Sequence, residues 1–137
     1  MTITLANEFD LPSITRLDAH IPEKRLLACI RAGQVYVLKN GASVIGVLRY
    51  SLFWQTIPFL DLIYLDADYR RRGHGSVMMQ QWEHDMAARG YRHVMTSTQA
   101  DEDAWQFYEK CGYRKVGGFF PPEQDAEEWI YRKELFV

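Results

Sequence analysis

The sequence predicts a mixed α/β fold in one domain that spans residues 1–137. Three observations predict this class. Six to seven apolar stretches have the length of strands, and about four segments show the apolar spacing of helices. An Asn-Gly pair separates two of the strands and indicates a hairpin. In the middle of the chain the elements follow the order strand, turn, helix, strand, helix, strand, which is typical of a mixed sheet.

Prolines and glycines divide the first half of the chain. Pro12 and Pro22 both suit the first turn of a helix, and Gly33 lies where the second of these helices should end. The pair Asn40-Gly41 joins two apolar stretches, which we expect to pair antiparallel. The expected elements are a strand over 2–6, helices over 13–20 and 22–31, and strands over 34–39 and 43–53.

The second half combines a nearly continuous apolar strand with two amphipathic helices. Residues 59–66 form that strand, and its apolar character suggests that both faces are covered. On the first helix Met78, Trp82 and Met86 fall on one face, and on the second helix Asp101 suits the N-cap position. We further expect the first helix to end at Arg89-Gly90, the second to run to Lys110, and strands over 93–98, 113–119 and 128–136.

Composition and charge exclude several classes of protein. The formal net charge is −2 with 25% charged residues, so the chain has no general attraction for nucleic acid or anionic membranes. No signal-peptide pattern is present, and no apolar stretch is long enough to span a bilayer. Cys29 and Cys111 are far apart and lack metal-ligand spacing. We therefore expect free thiols, a cytoplasmic location and no bound metal.

The most informative segment follows the apolar strand and reads Leu65-Asp66-Ala67-Asp68-Tyr69-Arg70-Arg71-Arg72-Gly73-His74-Gly75-Ser76. Unpaired backbone N–H groups and the positive end of the dipole make the start of a helix an anion site. Gly73 and Gly75 lack Cβ atoms and allow a phosphate to approach closely, while Arg70, Arg71 and Arg72 add charge. This spacing predicts binding of a phosphorylated cofactor. A solvated basic turn is the alternative that these residues leave open.

Two motifs resemble those of the GNAT superfamily of acyl-CoA-dependent N-acetyltransferases. Arg70-x-x-Gly73-x-Gly75 is similar to the superfamily motif Q/R-x-x-G-x-G/A. The segment from Asp101 to Tyr113 resembles the second signature, N-x-x-A-x-x-L/F-Y-x-x-x-G-F/Y, with Asp101 in place of the usual Asn. Ala67 likewise replaces a proline that is common in the turn. The resemblance covers residues 34–119 and implies a mostly antiparallel central sheet with two splayed parallel strands.

The resemblance implies that acetyl-CoA is the co-substrate and that its pantetheine arm lies between the splayed strands, 59–66 and 92–98. Backbone groups of Ile63 and Leu65 would bind the arm, and the Leu65 N–H would polarise the thioester carbonyl. The amine would attack directly, so no nucleophilic side chain is needed. The implied cofactor-binding residues are Ile63, Leu65, Arg70, Arg71, Arg72, Gly73, His74, Gly75, Ser76, Asp101 and Tyr108.

Two residues are candidates for proton transfer. Tyr108 matches the tyrosine that lies near the cofactor sulfur in this family, and its phenol can protonate the departing thiolate. The alternative for Tyr108 is packing in the apolar stripe of its helix. Asp61 interrupts an apolar strand, where a buried carboxylate is costly unless it has a use, and it is the candidate general base. A salt bridge or a solvated strand edge is the alternative, and a water chain can serve as the base in this family.

The acceptor is expected to be a primary amine of a small molecule or peptide. Tyr50, Trp54 and Trp129 flank the expected cleft in the strand order, with core packing as the alternative for each. Four acidic residues cluster before the last strand, Glu123, Asp125, Glu127 and Glu128. They would attract a cationic amine if they faced the cleft, with a solvated loop as the alternative. The family is compatible with a homodimer, whereas nucleic acid and membranes are not expected as partners.

Two other functions compete with catalysis. A non-catalytic acyl-CoA-binding module of the same fold would share the phosphate turn but would not need Tyr108. A nucleic-acid binder would use the three consecutive arginines, Arg70 to Arg72. The near-neutral net charge and the lack of a wider basic stripe argue against nucleic-acid binding.

Overall fold

A computed structural model describes residues 1–136 and contains, within that range, seven strands, four α-helices and two short 3-10 helices. The strands are β1 Thr2–Leu5, β2 Val35–Asn40, β3 Ser43–Phe53, β4 Ile57–Leu65, β5 His93–Gln99, β6 Arg114–Phe119 and β7 Glu128–Glu134. The α-helices are α1 Leu11–Leu17, α2 Glu23–Arg31, α3 His74–Ala88 and α4 Ala104–Lys110. The spatial order is β1-β2-β3-β4-β5-β7-β6. β4 and β5 run parallel and the other described ladders are antiparallel, which confirms the predicted mixed sheet.

The hairpin between β2 and β3 forms where it was predicted, but its turn is shifted by one residue. Asn40 is the last residue of β2 and pairs with Ser43, so Gly41 and Ala42 form the loop. Gly41 has φ +61°, whereas Ala42 is not among the residues with positive φ. A positive φ at the first loop position alone is the pattern of a type II′ turn. An Asn-Gly type I′ turn would need positive φ at both positions.

The exposure of residues in β4 differs from the prediction that both of its faces are buried. Pro58 and Leu60 are buried, whereas Asp61 and Tyr64 are exposed. The prediction that both faces are covered is therefore wrong for the second half of the strand. Its apolar residues resemble those of a fully buried strand, but the sequence does not say which neighbours reach them. A partly exposed carboxylate in mid-strand is consequently available for chemistry.

The parallel ladder between β4 and β5 is short. Its described pairs are Phe59↔Met95 and Leu60↔Thr96. β4 nevertheless continues to Leu65, five residues beyond its last described pair with β5. A ladder confined to the beginning of β4 agrees with the splayed parallel strands that the resemblance implies.

Internal contacts divide the residues into two compact units. The first comprises Met1–Ser51 and Asp61–Gln81, and the second comprises Leu52–Leu60 and the chain from Trp82 onward. The one-domain assignment of residues 1–137 stays a prediction. In the first unit α1 and α2 bury their apolar faces together with β2 and β3, through Ile14, Leu17, Leu26, Ile30, Val35, Val37, Val44 and Val47.

The core of the second unit is rich in aromatic side chains. Trp82, Tyr108, Tyr113 and Tyr131 are all buried there, together with Val94 of β5. Aromatic rings bury large apolar areas, so a few of them supply much of the packing in a unit of this size. The apolar face predicted for α3 is confirmed, because its predicted positions are all buried. Among residues 1–136, no helix is long and apolar enough to cross a membrane.

The start of α4 differs from the prediction, whereas its end agrees with it. Asp101 was expected to cap the helix, but it lies in an exposed turn and the helix begins at Ala104. The Glu102 N–H bonds to the Gln99 carbonyl at 3.2 Å, and this turn delays the helix. The N-cap is Asp103, whose side chain makes no capping bond. The prediction that Asp101 is the N-cap is therefore wrong.

A glycine ends α4 and fixes the chain around Tyr108. Gly112 has φ +92°, the left-handed conformation that terminates many helices. The Tyr113 N–H bonds to the Tyr108 carbonyl at 3.0 Å, and the Gly112 N–H bonds to the Glu109 carbonyl at 3.1 Å. These two bonds form a Schellman motif. The motif confirms the predicted end of the helix. It also provides a hydrogen-bond donor for the carbonyl of Tyr108.

Candidate active site

The segment between β4 and α3 is an exposed turn with two residues in the left-handed region. After a 3-10 helix at Ala67–Tyr69, Arg71 has φ +63° and Gly73 has φ +83°. Glycine adopts such a φ freely, whereas an arginine pays about 1–2 kcal/mol for it. Turns of this kind make concavities of backbone N–H groups that bind anions. Strain at Arg71 is the kind of outlier that points to a binding role.

Helix α3 begins directly after this turn. The Val77 N–H bonds to the Gly73 carbonyl at 3.2 Å, which is the start of the intrahelical ladder. The N–H groups of residues 74–76 precede this first bond, as at any helix start. The helix has 15 residues, so its dipole adds partial positive charge at this end. Arg71 and Arg72 are exposed beside it. The turn therefore has the geometry and the charge to bind a phosphate group.

Contacts on both sides hold the turn in place. The Asp66 N–H bonds to the Ile45 carbonyl at 2.8 Å, and the Asp66 carboxylate pairs with Arg16 at 3.1 Å. The Arg70 Nε donates a hydrogen bond to the Leu65 carbonyl at 2.9 Å. Arg70 therefore braces the end of β4, in addition to the phosphate contact predicted for it.

Tyr69 is the centre of a small side-chain cluster in the same turn. Its hydroxyl accepts a hydrogen bond from Asn40 Nδ2 at 3.2 Å, and the Arg72 guanidinium lies 5.8 Å from the centre of its ring. The His74 ring lies 6.4 Å from the Tyr69 ring. These contacts limit the orientations of Arg72 and His74, two of the predicted cofactor-binding residues.

Gly46 of β3 is a position that the sequence analysis missed. A Cβ at Gly46 would stand 2.7 Å from Leu65 Cδ2 and 3.3 Å from both Leu38 Cβ and Met78 Sδ. The missing side chain therefore lets the end of β4 and the first turns of α3 pack closely on β3. A glycine within an apolar strand is itself a signal of close approach, and this signal could have found it.

Tyr108 is buried in the aromatic core of the second unit. Only 6% of the residue is exposed. Its ring centre lies 5.5 Å from Phe107, 6.1 Å from Tyr113 and 6.4 Å from Tyr131. Burial raises the pKa of Tyr108 to about 12, so the phenol keeps its proton at neutral pH. The ring belongs to the apolar stripe of α4, as the alternative interpretation holds, and its hydroxyl still carries a proton to donate.

Thr96 of β5 holds the hydroxyl of Tyr108, and the sequence analysis missed it. The two hydroxyl groups are hydrogen-bonded to each other. Thr96 Oγ1 also donates to the Leu60 carbonyl at 3.1 Å. Leu60 and Thr96 form the second described pair of the parallel ladder. A short hydrogen-bond chain therefore ties the Tyr108 hydroxyl to that ladder. A threonine in a strand is ordinary, so no local signal could have identified it.

Charged residues hold two of the three rings that neighbour Tyr108. The Tyr113 hydroxyl donates to Glu83 Oε2 at 2.7 Å, and Lys133 Nζ donates to Glu83 Oε1 at 2.8 Å. The Tyr131 hydroxyl donates to Glu109 Oε2 at 2.9 Å. Because buried hydroxyl groups are costly to leave unpaired, these bonds restrict the orientations of both rings. The position of Tyr108 is fixed as a consequence.

Asp61 of β4 contacts a buried arginine and is also partly exposed to solvent. Its side chain is 26% exposed, and its Oδ2 lies 3.7 Å from Arg49 Nη1. Burial raises the pKa of Asp61, whereas a hydrogen bond from Ser51 and the charge of Arg49 lower it. The ion pair expected as one alternative is thus present. The partial exposure leaves the carboxylate accessible, and its role as general base stays a prediction.

The three aromatic residues predicted for the acceptor site have different surroundings. Tyr50 is 3% exposed, and its ring centre lies 6.4 Å from that of Tyr36, as core packing predicts. Trp54 is 77% exposed and has φ +55°, so core packing does not describe it. Trp129 is half-buried, with its ring centre 6.4 Å from that of Trp105 in an edge-on arrangement. The substrate role of each stays a prediction.

Two acidic residues at the start of β7, Glu127 just before the strand and Glu128 within it, bond to their neighbours. Glu127 Oε1 accepts a hydrogen bond from the indole of Trp129 at 3.0 Å. Glu128 Oε1 accepts one from Gln124 Nε2 at 3.1 Å. In the part of the chain that the structure describes, no group of three or more His, Cys, Asp or Glu side chains is arranged to hold a metal ion.

The predicted site residues fall into two sets. The first unit contains Tyr50, Asp61, Ile63, Leu65 and the turn residues Arg70, Arg71, Arg72, Gly73, His74, Gly75 and Ser76. The second unit contains Trp54, Asp101, Tyr108 and Trp129. Ile63 and Leu65 are half-buried in β4, as expected of a strand that offers backbone groups to a ligand. The phosphate turn and the candidate base therefore belong to one unit, and the candidate acid belongs to the other.

Solved structures similar to this chain include several acetyltransferases. Ard1 from Thermoplasma volcanium aligns with a TM-score of 0.88 at 20% identity, covering 99% of this chain and 98% of its own. The ribosomal-protein-S18-alanine N-acetyltransferase from Escherichia coli aligns with a TM-score of 0.83 at 17% identity, covering 99% and 94%. The PaiA N-acetyltransferase from Thermoplasma acidophilum, solved with coenzyme A, aligns with a TM-score of 0.80 at 16% identity, covering 97% and 98%. At these identities the likeness concerns the fold.

The sequence itself matches a family profile. A comparison with curated protein sequences finds no match. The profile described as Acetyltransferase (GNAT) family matches residues 5–113, which is most of the chain and includes both motifs of the sequence analysis. An exposed glycine turn before α3 and a buried tyrosine on α4 are the structural counterparts of those motifs. The chain therefore belongs to the GNAT family of acetyltransferases.

Proposed function

We propose that this chain transfers an acetyl group from acetyl-CoA to a primary amine of a small molecule or peptide by direct attack. The observation that carries the proposal is the open turn at 70–76. Left-handed φ values at Arg71 and Gly73 and the start of a 15-residue helix give it the form of a phosphate site. A diphosphate held there would orient a thioester-bearing arm along β4.

Tyr108 is the proposed general acid. Its burial keeps the phenol neutral at neutral pH, with a pKa of about 12. A thiolate that departs into apolar surroundings is also poorly solvated, so it competes well for a proton that a tyrosine holds nearby. The hydrogen bond to Thr96 orients the hydroxyl before the reaction. Tyr108 then supplies the proton that the thiolate needs to leave as a thiol.

Asp61 is the proposed general base. An attacking amine must be unprotonated, and a carboxylate whose pKa is raised accepts a proton more readily than an ordinary aspartate. Burial is the largest cause of that rise at Asp61. Its 26% exposed side chain is accessible to an incoming ammonium group. Electrostatic attraction between this carboxylate and a cationic amine also favours binding of the substrate.

The test is an amine-panel assay that follows the release of free thiol from acetyl-CoA, combined with calorimetric titration of acetyl-CoA. We expect saturable binding in the micromolar range typical of enzyme substrates, roughly 1 μM–1 mM. Gly73→Glu should abolish that binding, because it adds a bulky negative group to the phosphate turn. Absence of binding heat and of a thermal shift with acetyl-CoA would contradict the proposal.

Tyr108→Phe separates an enzyme from a non-catalytic acyl-CoA-binding module. It removes only the hydroxyl, so acetyl-CoA affinity should change little while thiol release falls about 10²–10⁴-fold with the best amine. An unchanged rate would remove Tyr108 from catalysis. Binding of acetyl-CoA without thiol release from any amine would favour the non-catalytic module.

The location and assembly state are also part of the proposal. Cys29 and Cys111 are not joined in a disulfide bond, which is compatible with the reducing cytoplasm that we propose as the location. Fractionation of cells that express the chain tests the location. The family is compatible with a homodimer, and light scattering of the purified protein distinguishes a dimer from a monomer.

A further inference from the structure

One cation and two carboxylates form a cluster within the first unit. Asp18 follows α1, Arg49 lies in β3 and Asp61 lies in β4. Arg49 Nε lies 2.8 Å from Asp18 Oδ2, and Arg49 Nη1 lies 3.7 Å from Asp61 Oδ2. The side-chain exposure rises along the series from 0% for Asp18 to 11% for Arg49 and 26% for Asp61. One guanidinium thus connects a fully buried carboxylate with an accessible one.

Asp18 is held on both of its oxygens. Its Oδ2 accepts the bond from Arg49 Nε, and its Oδ1 accepts a bond from the His20 N–H at 3.2 Å. Asp18 is also the C-cap residue of α1, where its N–H bonds to the Ile14 carbonyl at 2.7 Å. The carboxylate is therefore held by one backbone N–H and one guanidinium, while the backbone of Asp18 is anchored to α1. A guanidinium is planar and rigid, so a fixed Nε partner also fixes the direction of its Nη groups.

The two carboxylates share Arg49 unequally. The buried one takes the short, charge-assisted bond, whose length is typical of a strong interaction. The accessible one, Asp61, receives the longer contact and a hydrogen bond from Ser51. Asp61 is thereby oriented without being fully neutralised, and its exposed edge can accept a further proton. A base that bound its arginine as tightly as Asp18 does would be a poorer proton acceptor.

We infer that Asp18 and Arg49 are positioning residues: Asp18 fixes the Arg49 guanidinium, and Arg49 holds the Asp61 carboxylate in the orientation from which it takes a proton from the acceptor amine. This inference rests on the proposed function, because it assigns a role to two residues behind the proposed base. It concerns residues that neither family motif contains.

The charges around Asp61 predict the direction in which each substitution should shift the pKa of Asp61. The groups that face Asp61 are Arg49 and Ser51 of β3, Asp18 beyond α1, and Cys29 of α2. Burial raises the pKa of Asp61 most, Ser51 and Arg49 lower it, and Asp18 raises it. Removing the charge of Asp18 should therefore lower the pKa of Asp61. Removing the charge of Arg49 should raise it.

The experiment is a pH–rate profile of kcat/KM with the best amine. The acid limb is the low-pH part of this profile, where the rate rises as the base loses its proton. Asp18→Asn should move the acid limb to lower pH, and Arg49→Gln should move it to higher pH. Arg49→Lys retains the charge and should leave the limb closer to that of the wild-type protein. Asp61→Asn should remove the limb. A shift of half a pH unit changes the rate on the limb about threefold, which is readily measured.

A second variant keeps the inference testable if a single substitution prevents folding. Asp18→Asn combined with Arg49→Gln removes both charges together and leaves no unpaired buried ion. Because Arg49 affects the pKa of Asp61 more than Asp18 does, this pair should shift the limb to higher pH, though less than Arg49→Gln alone. Superimposable limbs in all folded variants would overturn the inference.

A titration without substrate separates this inference from the proposed function. Carboxylate ¹³C NMR of the purified chain follows the Asp61 signal, which is assigned by its loss in Asp61→Asn. If the Asp61 pKa shifts in opposite directions in Asp18→Asn and Arg49→Gln, the positioning role is supported, whether or not any amine is acetylated. A lack of acetylation would refute only the proposed function. Acetylation by variants whose Asp61 titrates identically to that of the wild-type protein would refute the positioning role and leave the proposed function intact.

Discussion

A single methyl group added at Gly46 should weaken cofactor binding without changing any residue of the phosphate turn. In Gly46→Ala the new Cβ would stand 2.7 Å from Leu65 Cδ2, which is well inside van der Waals contact. It would also stand 3.3 Å from Leu38 Cβ and from Met78 Sδ. Leu65 ends β4 and Met78 lies in the second turn of α3. The substitution therefore presses on both elements that flank the phosphate turn.

The magnitude follows from which atoms can move. Leu65 Cδ2 and Met78 Sδ lie far out on flexible side chains, so a rotamer change can relieve those contacts at about 0.5–1.5 kcal/mol each. Leu38 Cβ is bonded directly to the backbone of β2, so it can move only if that backbone moves. Overpacking in a filled core typically costs about 1–3 kcal/mol, and the two flexible neighbours favour the lower half of that range. We expect a loss of about 1–2 kcal/mol in the free energy of unfolding.

The assays are thermal unfolding and calorimetric titration with coenzyme A. A loss of this size lowers Tm by roughly 3–8 °C in a protein of this length. Displacement of Leu65 should raise the Kd for coenzyme A about twofold to tenfold, equivalent to about 0.4–1.4 kcal/mol. Gly117→Ala is the matched control, since no atom lies within 4 Å of a Cβ at Gly117 and its φ is not in the left-handed range.

The result that would refute this reasoning is equal behaviour of the two variants. If Gly46→Ala and Gly117→Ala have the same Tm and the same coenzyme A affinity, close packing at Gly46 does not position the turn. A lower Tm with unchanged affinity would show that Gly46 supports the core of the first unit and not the cofactor site.

Three further predictions concern the turn, the acid and the base. Gly73→Ala adds no clash but forces a side chain to φ +83°, so it should cost about 1–2 kcal/mol and weaken coenzyme A binding, as titration beside Gly117→Ala will measure. Thr96→Val removes the hydrogen-bond partner of Tyr108 and should lower kcat about threefold to tenfold with little change in coenzyme A affinity. Thr96→Ser should retain most of the activity. Equal rates for Thr96→Val and the wild-type protein would refute this role of Thr96. Because burial raises the pKa of Asp61 in the folded state, its stabilising contribution is present at acid pH and is lost as pH rises through the folded pKa. Asp61→Asn should therefore have a higher Tm than the wild-type protein at neutral pH, a difference that should shrink below about pH 4; a lower Tm at pH 7 would contradict this account.

Local patterns predicted the elements that depend on neighbouring residues. The apolar face of α3 was confirmed because a helix brings every third or fourth residue to one side, whatever the rest of the chain does. The stop at Gly112 was confirmed because a left-handed residue terminates a helix by its own backbone preference. Asp101 failed as an N-cap because an extra turn closes between Gln99 and Glu102 first. Several residues of this segment suit a cap, and their sequence does not choose among them.

The sequence by itself determined the family, the glycine turn before α3 and the tyrosine that we propose as the acid, because each depends on residue types at short, regular spacings. Only the tertiary structure showed that Gly46 accommodates Leu65, that Thr96 holds Tyr108, and that Arg49 joins Asp18 to Asp61. The partners in the arginine pair with Asp18 are 31 residues apart, and Thr96 is 36 residues from the carbonyl to which it donates. Contacts over such separations arise when strands and helices are assembled. No local propensity encodes them, although they include the contacts of both groups that we propose to move protons.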